Sequence, residues 1–463
     1  MNSPAAAVDR PTRADILRQM VATFVHRELP LAVRAWDGTR AGPDDAEITL
    51  VVHSPEAIRH LLWAPGELGL VRAHVQGHLE IEGDVFTLLS LRDRIDDPDV
   101  DVSLKAGPRD WLGLLRQARR LGVVGWRPPI PQEESRVRGR LGTIRRASQA
   151  IGHHYDVSNE FYELLLGPAL TYSCAYWTRS DATLEDAQEA KHELVCRKLA
   201  LEPGQRLLDI GCGWGSMAIH AARRHGAHVV AITLSEEQAL FAARRVNDAG
   251  LAHLVDVRIQ DYREIDDEPF DAISSIGMFE HVPTREVGRY LRTAHDLLKP
   301  GGRVLNHAIS RPDPTSAPEV EPKSFMGRYV FPDATLHEVG AVVSSMHRAG
   351  LEVRDLQSLR EHYALTLRAW VANLEAGWDT VQKLVGPGRA RVWRLYLAGS
   401  ALGFEQYRTS VYQVLAVRTP VSGSSQMPPT RTEMDVPAEF GLLDLRSART
   451  TDAVESEPRR ADL

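Results

Sequence analysis

The sequence predicts an α/β chain: a parallel sheet covered on both faces by helices, preceded by a smaller N-terminal α+β module. Two observations carry this. Over residues 151–418, short apolar segments alternate with amphipathic helical patterns, as in repeated strand–helix–strand units. Over residues 13–125, helical periodicities surround a single strand-like run and no such alternation occurs.

The chain has 463 residues, room for two to three domains at roughly 100–200 residues each. Its 55 Lys and Arg against 62 Asp and Glu leave a formal charge of −7, so a general nucleic-acid coat is excluded. Three scattered cysteines, Cys174, Cys196 and Cys212, suit neither a disulfide framework nor a zinc ribbon. A reducing cytosol is the expected compartment. No apolar run approaches the roughly 18–20 residues that span a bilayer. The start, MNSPAAAVDRPTR, lacks the basic and apolar regions of a signal peptide.

Residues 1–12 are expected to be disordered. In the module 13–125, ADILRQMVATFVHREL reads as a helix and EITLVVHS as a strand, with a break at Ser54-Pro55. PEAIRHLLWA reads as a helix, and LGLVRAHVQGHLEIEGDVFTLLSLRDRI continues as helix, turn and helix. Residues 126–150 read as a Pro/Arg-rich linker carrying Arg136, Arg138, Arg140, Arg145 and Arg146. The simpler reading is a solvated connector. The sharper one is a cationic strip facing anionic headgroups, at about 1 kcal/mol per basic residue. In the part 151–418, GQRLLDIG, AHVVAITLS, VDVRIQD, FDAISSIG and GGRVLNHAIS are strand candidates. SMAIHAARRHG, EEQALFAARRVNDAG and REVGRYLRTAHDLLKPGG are the helices between them, the last expected to stop at Pro300 and Gly301. The tail 419–463, rich in Ser, Pro and Thr, is expected to be largely disordered, with a short apolar stretch at Phe440–Leu445.

RLLDIGCGWGSMAIHAARRHG is the most specific segment. An apolar strand ends at Asp209, the turn Gly211-Cys212-Gly213-Trp214-Gly215 follows, and a helix begins. Alternate glycines let backbone approach a ligand closely, and the helix N–H groups then face it. The spacing is neither the G-x-G-x-x-G dinucleotide fingerprint nor a phosphate-binding loop ending in Gly-Lys-Ser/Thr. The next strand ends at Thr233 and not at a ribose-binding acid. Thr233 with Gln238, then Gln260-Asp261-Tyr262, then Ser275 through Val282, all fall at C-terminal strand ends, where open α/β sheets bind ligands.

The turn with Asp209 before it resembles the first motif of class I S-adenosylmethionine (SAM) methyltransferases. With HHYDVSNEFYELLLGPALTYSCAYW, ITLSEEQ, QDYRE, GMFEHV and HYALTLRAW, it closely resembles the cyclopropane fatty acid synthase family over about residues 150–415. LLWAPGELGLVRAHVQGHLEIEGD looks like the extra domain of members that act on membrane phospholipids, and of an actinobacterial subgroup linked to mid-chain methyl branching. The resemblance implies a Rossmann-like class I SAM-methyltransferase fold. It implies SAM as methyl donor, held by Tyr172, Ser173, Asp209, Gly211, Gly213, Gly215, Thr233, Gln238, Gln260, Asp261 and Tyr262. It implies a bound bicarbonate as base, held by Cys174, Glu280, His307, the backbone at Ile309, and Tyr363.

The implied reaction adds a methyl carbon to the cis double bond of an unsaturated phospholipid acyl chain, through a carbocation. Proton loss then closes a cyclopropane or, after a hydride shift, leaves a methylene that a separate reductase would saturate. Tyr172, Tyr176, Trp177, Tyr329, Phe331 and Trp370 are candidates to face the cation. Each of these, taken singly, is ordinary core packing. Cys174 alone is a small buried hydrophobe, and His307 alone a satisfied strand residue. His153-His154-Tyr155-Asp156 lacks spaced further ligands, so a structural or lid role is expected there and no metal. The implied setting is cytoplasmic, with peripheral contact at the inner face of the membrane; the resemblance also suggests a homodimer. A methyltransferase on a small-molecule acceptor, or a lipid-binding protein without turnover, stays open at this stage.

Overall fold

The computed structural model describes residues 10–25, 29–91, 108–135 and 158–436. His153 to Asp156, the five linker arginines and Phe440–Leu445 lie outside them. The N-terminal part contains α1 (Arg13–Val25), β1 (Ala32–Arg34), β2 (Arg40–Ala41), β3 (Thr49–Val52), α2 (Glu56–Trp63), α3 (Glu67–Val75), β4 (Leu79–Glu82), α4 (Val85–Ser90) and α5 (Pro108–Arg120). Its sheet has the order β2-β1-β3-β4, parallel only between β1 and β3. Leu17, Met20, Val33, Ile48, Ile58 and Leu114 fill the space between sheet and helices.

One reading is corrected here. The stretch expected as helix, turn and helix contains the strand β4 in place of the turn. Leu79 and Ile81 alternate over only four residues between Gly77 and Gly83, too short a pattern to separate from its helical flanks. Pairing to β3 decides it, and Asp84 then caps α4 by accepting the Thr87 N–H at 2.7 Å.

The larger part runs α6 (Asn159–Leu166), α7 (Leu184–Leu199), β5 (Arg206–Ile210), α8 (Ser216–His225), β6 (His228–Thr233), α9 (Glu236–Asp248), β7 (Val255–Ile259), β8 (Phe270–Ile276), α10 (Val287–Leu297) and β9 (Leu298–Ser310). It continues through α11 (Val339–Arg348), β10 (Leu351–Ser358), α12 (Arg360–Ala376), α13 (Trp378–Val385), α14 (Pro387–Glu405) and β11 (Ser410–Arg418). The five expected strands form β5 to β9, while α10 ends at Leu297, short of Pro300. The seven strands have the order β10-β11-β9-β8-β5-β6-β7. Neighbours from β9 to β7 are parallel, but β11 is antiparallel to both β9 and β10. The sheet is therefore mostly, not wholly, parallel. The helical excursion α12–α14 leaves β10 and re-enters where Ser358 pairs with Tyr412, so the returning strand must run back. Two apolar layers cover the sheet: one contains Val195, Met217 and Val229, the other Ile232, Ile273 and Leu291.

The two parts share a core. Val71 and Val75 of α3 and Val85 of α4 join the cluster that holds Trp393 and Leu397 of α14. Residues 126–135, expected as solvated connector, instead tie the parts together. Buried Glu134 accepts from Arg72 Nε and Nη2, both at 2.8 Å, and from the Tyr329 hydroxyl at 3.4 Å. The tail reading is likewise corrected for residues 420–436. Met434 is buried beneath the sheet's apolar layer, and Arg431 Nε donates to buried Asp355 at 2.6 Å. Asp355 also pairs with buried Lys198 at 3.0 Å, so Arg431 completes a charge cluster. Polar composition hides such a segment because two methionines and one arginine suffice to anchor it.

Candidate active site

A cleft of about 190 Å³ opens at the C-terminal ends of β5, β6, β7 and β8. Tyr172, Ser173, Asp209, Gly211, Gly213, Thr233, Gln238, Gln260, Asp261 and Tyr262 all line it. Gly211 and Gly213 have φ of +83° and +54°. A Cβ on Gly211 would meet the Met278 side chain at 3.1 Å, whereas one on Gly213 would enter open space. Gly215 is the exception among the expected contacts. It does not line the cleft; it is the N-cap of α8, with φ +81°, and its Cβ would lie 3.2 Å from Ala242 of α9. Its role in the structure is helix packing.

Asp209 Oδ1 accepts from Ser274 at 2.7 Å, while its buried Oδ2 has no partner. Burial pushes this carboxyl up to about 6. Lys191 of α7 donates to Ser173 at 3.2 Å, and burial brings its amine down to about 8 despite Asp209 nearby. Thr233 donates to Gln238 at 2.9 Å. Burial raises the Asp261 carboxyl, but Arg263, donating twice at 2.7 Å, outweighs this and holds it low. An unpartnered carboxylate oxygen beside open space over a glycine turn fits a ligand carrying hydroxyl or ammonium donors. Lys191, His192 and Arg263 line this cleft without having been expected from sequence.

The second expected set is buried outside the lining of that cleft. Glu280 sits in a short turn after β8, where its Oε1 accepts from the Ile309 N–H of β9 at 2.7 Å. Its Oε2 is buried without a partner, and burial pushes the carboxyl up to about 7. His307, two residues before Ile309, has Nδ1 3.2 Å from Gln413 Nε2, while its buried Nε2 has no partner. Burial, helped by the charges of Lys191 and Lys198, drops this imidazole to about 3, so it is neutral at physiological pH. Burial holds the Cys174 thiol protonated, directed at the carbonyls of Ala175 (3.2 Å) and Leu359 (3.6 Å). The Leu359 carbonyl also takes the Tyr363 N–H at 3.0 Å, joining Cys174 to the first turn of α12. The Tyr363 ring packs on Phe404 at 4.6 Å and edge-on to Trp370 at 6.0 Å. Two buried polar atoms left open, one on a carboxyl and one on an imidazole, suit small polar partners that both donate and accept.

Of the aromatic candidates, Tyr172 stacks obliquely on Trp370 at 5.2 Å, and its hydroxyl donates to Tyr396 at 3.1 Å. Phe331 meets Tyr396 edge-on at 5.8 Å. Tyr176 lies against His362, and Trp177 donates to Thr366 at 3.1 Å. Tyr329 is committed to Glu134 and serves the tie between the two parts. Sequence reasoning missed Tyr396 and Gln413; the spacing Trp393 to Tyr396 on α14 was the only available signal for the first. Beside α7, Cys196, His220 and His225 bring ligand-type atoms within 4.8 Å of one another. Glu193 already faces both imidazoles, at 3.3 and 3.0 Å, so this group reads as a carboxylate–imidazole hydrogen-bond cluster.

Residues 143–414 match the family described as mycolic acid cyclopropane synthetase. The chain is 41% identical over 431 residues to a probable fatty acid methyltransferase of Mycobacterium tuberculosis, spanning 90% of this chain and 97% of that one. It is 31% identical over 425 residues to a tuberculostearic acid methyltransferase of the same organism, spanning 90% and 93%. A solved mycolic acid cyclopropane synthase, complexed with S-adenosylhomocysteine and CTAB, superposes with a TM-score of 0.54 at 33% identity. That likeness covers 58% of this chain and 98% of the other. The matched stretch runs through the glycine turn, the buried acid–imidazole set and the helices that roof them, and the chain belongs to the mycolic acid cyclopropane synthetase family as a SAM-dependent methyltransferase.

Proposed function

We propose that this enzyme methylates the cis double bond of unsaturated acyl chains on membrane phospholipids, with bicarbonate as the base, and forms a methylene-branched product. The carrying observation is the pair of buried, unpartnered atoms Glu280 Oε2 and His307 Nε2. Transfer to a nitrogen or oxygen acceptor calls for no such second site. Bound in the cleft and in the buried set respectively, SAM supplies an electrophilic methyl and bicarbonate a proton acceptor.

The chain's own residues do the rest. Asp209, Gly211, Gly213, Thr233, Gln238, Gln260, Asp261 and Tyr262 hold the donor, with Tyr172 and Ser173 at its amino-acid end. Glu280, oriented by the Ile309 N–H, accepts at the base site; His307 and Tyr363 donate there, and Cys174 closes it. Tyr172, Trp370, Phe331 and Tyr396 offer ring faces to a chain cation, about 0.5–2 kcal/mol each. Their packing also keeps water from capturing it.

Exposed apolar residues of the N-terminal part support membrane contact. Trp63, Leu112, Val124, Trp126 and Ile130 are exposed, Trp126 to 93%. The Trp63 indole donates to the Gly125 carbonyl at 3.2 Å, fixing α2 beside this segment. Arg119 and Arg120 end α5 and match anionic headgroups. No described helix is long and apolar enough to cross a membrane; the contact we propose is peripheral, at the inner face. A separate reductase would complete a methyl branch.

The experiment is gas chromatography–mass spectrometry of lipids from a host expressing the chain and fed oleate. A methylene or methyl branch is expected. A cyclopropane alone overturns the branched product; labelled methyl on a small amine or hydroxyl, with none on lipid, overturns the lipid reading.

A further inference from the structure

We infer that Gln413 is a positioning residue that fixes which ring nitrogen of His307 carries the proton, and so turns that imidazole into a donor toward the buried set. Its consequence for turnover rests on the bicarbonate reading; its effect on the imidazole does not. The antiparallel insertion of β11 beside β9 makes Gln413 and His307 direct cross-strand partners, and such partners share one face of the sheet. Gln413 is fully buried, with Nε2 3.2 Å from His307 Nδ1. A neutral imidazole has one proton for two nitrogens. An amide N–H directed at Nδ1 makes that nitrogen the acceptor and leaves the proton on Nε2. That nitrogen has no partner among the described residues.

The surroundings argue that the amide is there for this contact. Val411, Val414, Leu415, Ala416 and Val417 of the same strand are all buried aliphatics. Gln413 breaks the run and leaves its own Oε1 buried without a partner. An aliphatic at this position would pack without that desolvation cost. With the proton on Nδ1 instead, Nε2 would be a bare acceptor, unable to donate to an anion.

The test uses the full chain with isotope-labelled histidine, the His307 signals being assigned by their loss in His307→Gln. Proton–nitrogen correlations of the ligand-free parent are expected to show Nε2 protonated and Nδ1 bare. In Gln413→Glu, isosteric but an acceptor, Nδ1 is expected to gain the proton. Gln413→Leu is expected to populate both tautomers. Turnover is expected to fall about ten-fold or more in both variants, with SAM affinity changed less than two-fold and partial recovery on adding bicarbonate. A parent spectrum with Nδ1 protonated, or variants that keep the parent tautomer, overturns the inference. Should Gln413→Leu fail to fold, the parent and Gln413→Glu spectra decide. The expected tautomers with turnover indifferent to bicarbonate support the role of Gln413 and overturn the bicarbonate reading.

Discussion

Glu280 is buried with only the Ile309 N–H and its own backbone N–H to oppose that burial, and its carboxyl keeps a proton up to about pH 7. This has two opposed consequences. In the unfolded chain the same carboxyl ionises near its ordinary value of 4.5. Unfolding therefore releases a proton between pH 5 and 7, and stability falls as pH rises through that window. Glu280→Gln removes the loss, so the variant is expected to melt higher than the parent at pH 8 and equally at pH 4.5, by scanning calorimetry. Its turnover is expected to drop at least about a hundred-fold, with SAM affinity by titration calorimetry changed less than two-fold. The last two glycines of the turn separate similarly. Gly213→Ala projects a methyl into the cleft and is expected to weaken SAM binding. Gly215→Ala strains a φ of +81° against Ala242, and is expected to lower stability by about 1–3 kcal/mol with the smaller effect on SAM affinity.

Segments that looked like connectors are structural ties. Glu134 sits in the supposed linker yet fills a buried ion pair with Arg72. Glu134→Ala leaves that guanidinium buried and uncompensated, and is expected to cost about 3–5 kcal/mol in chemical denaturation. Pairing Glu134→Leu with Arg72→Met is expected to recover most of it. The five parallel strands and the cofactor turn were legible because each lies in one contiguous word with its own periodicity. Cys174, Glu280, His307 and Tyr363 came from the family resemblance, each inside a short motif, and not from periodicity. The strand β4, the docked residues 420–436, Lys191 against Ser173, and Gln413 against His307 were not legible. Their signals are single residues whose partners are supplied by topology. Gly215 shows the converse: a motif position whose spacing implies a ligand and whose neighbours make it a packing contact.

For the molecule as a whole, the N-terminal part presents apolar and basic residues outward while its inner face is welded to α14. Leu112→Glu combined with Trp126→Glu is expected to cut co-sedimentation with anionic vesicles about ten-fold, while turnover on detergent-dispersed lipid stays within two-fold. Unchanged vesicle binding would overturn membrane contact through this face. The threading of the sheet has a consequence for synthesis. β11 leaves the ribosome after every other strand, and until it arrives β9 and β10 stand side by side with nothing between them. A nascent chain halted before Ser410 therefore carries two naked strand borders flanking an unfilled slot, each a template for misassociation. The slot is filled and His307 acquires its neighbour in the same late event.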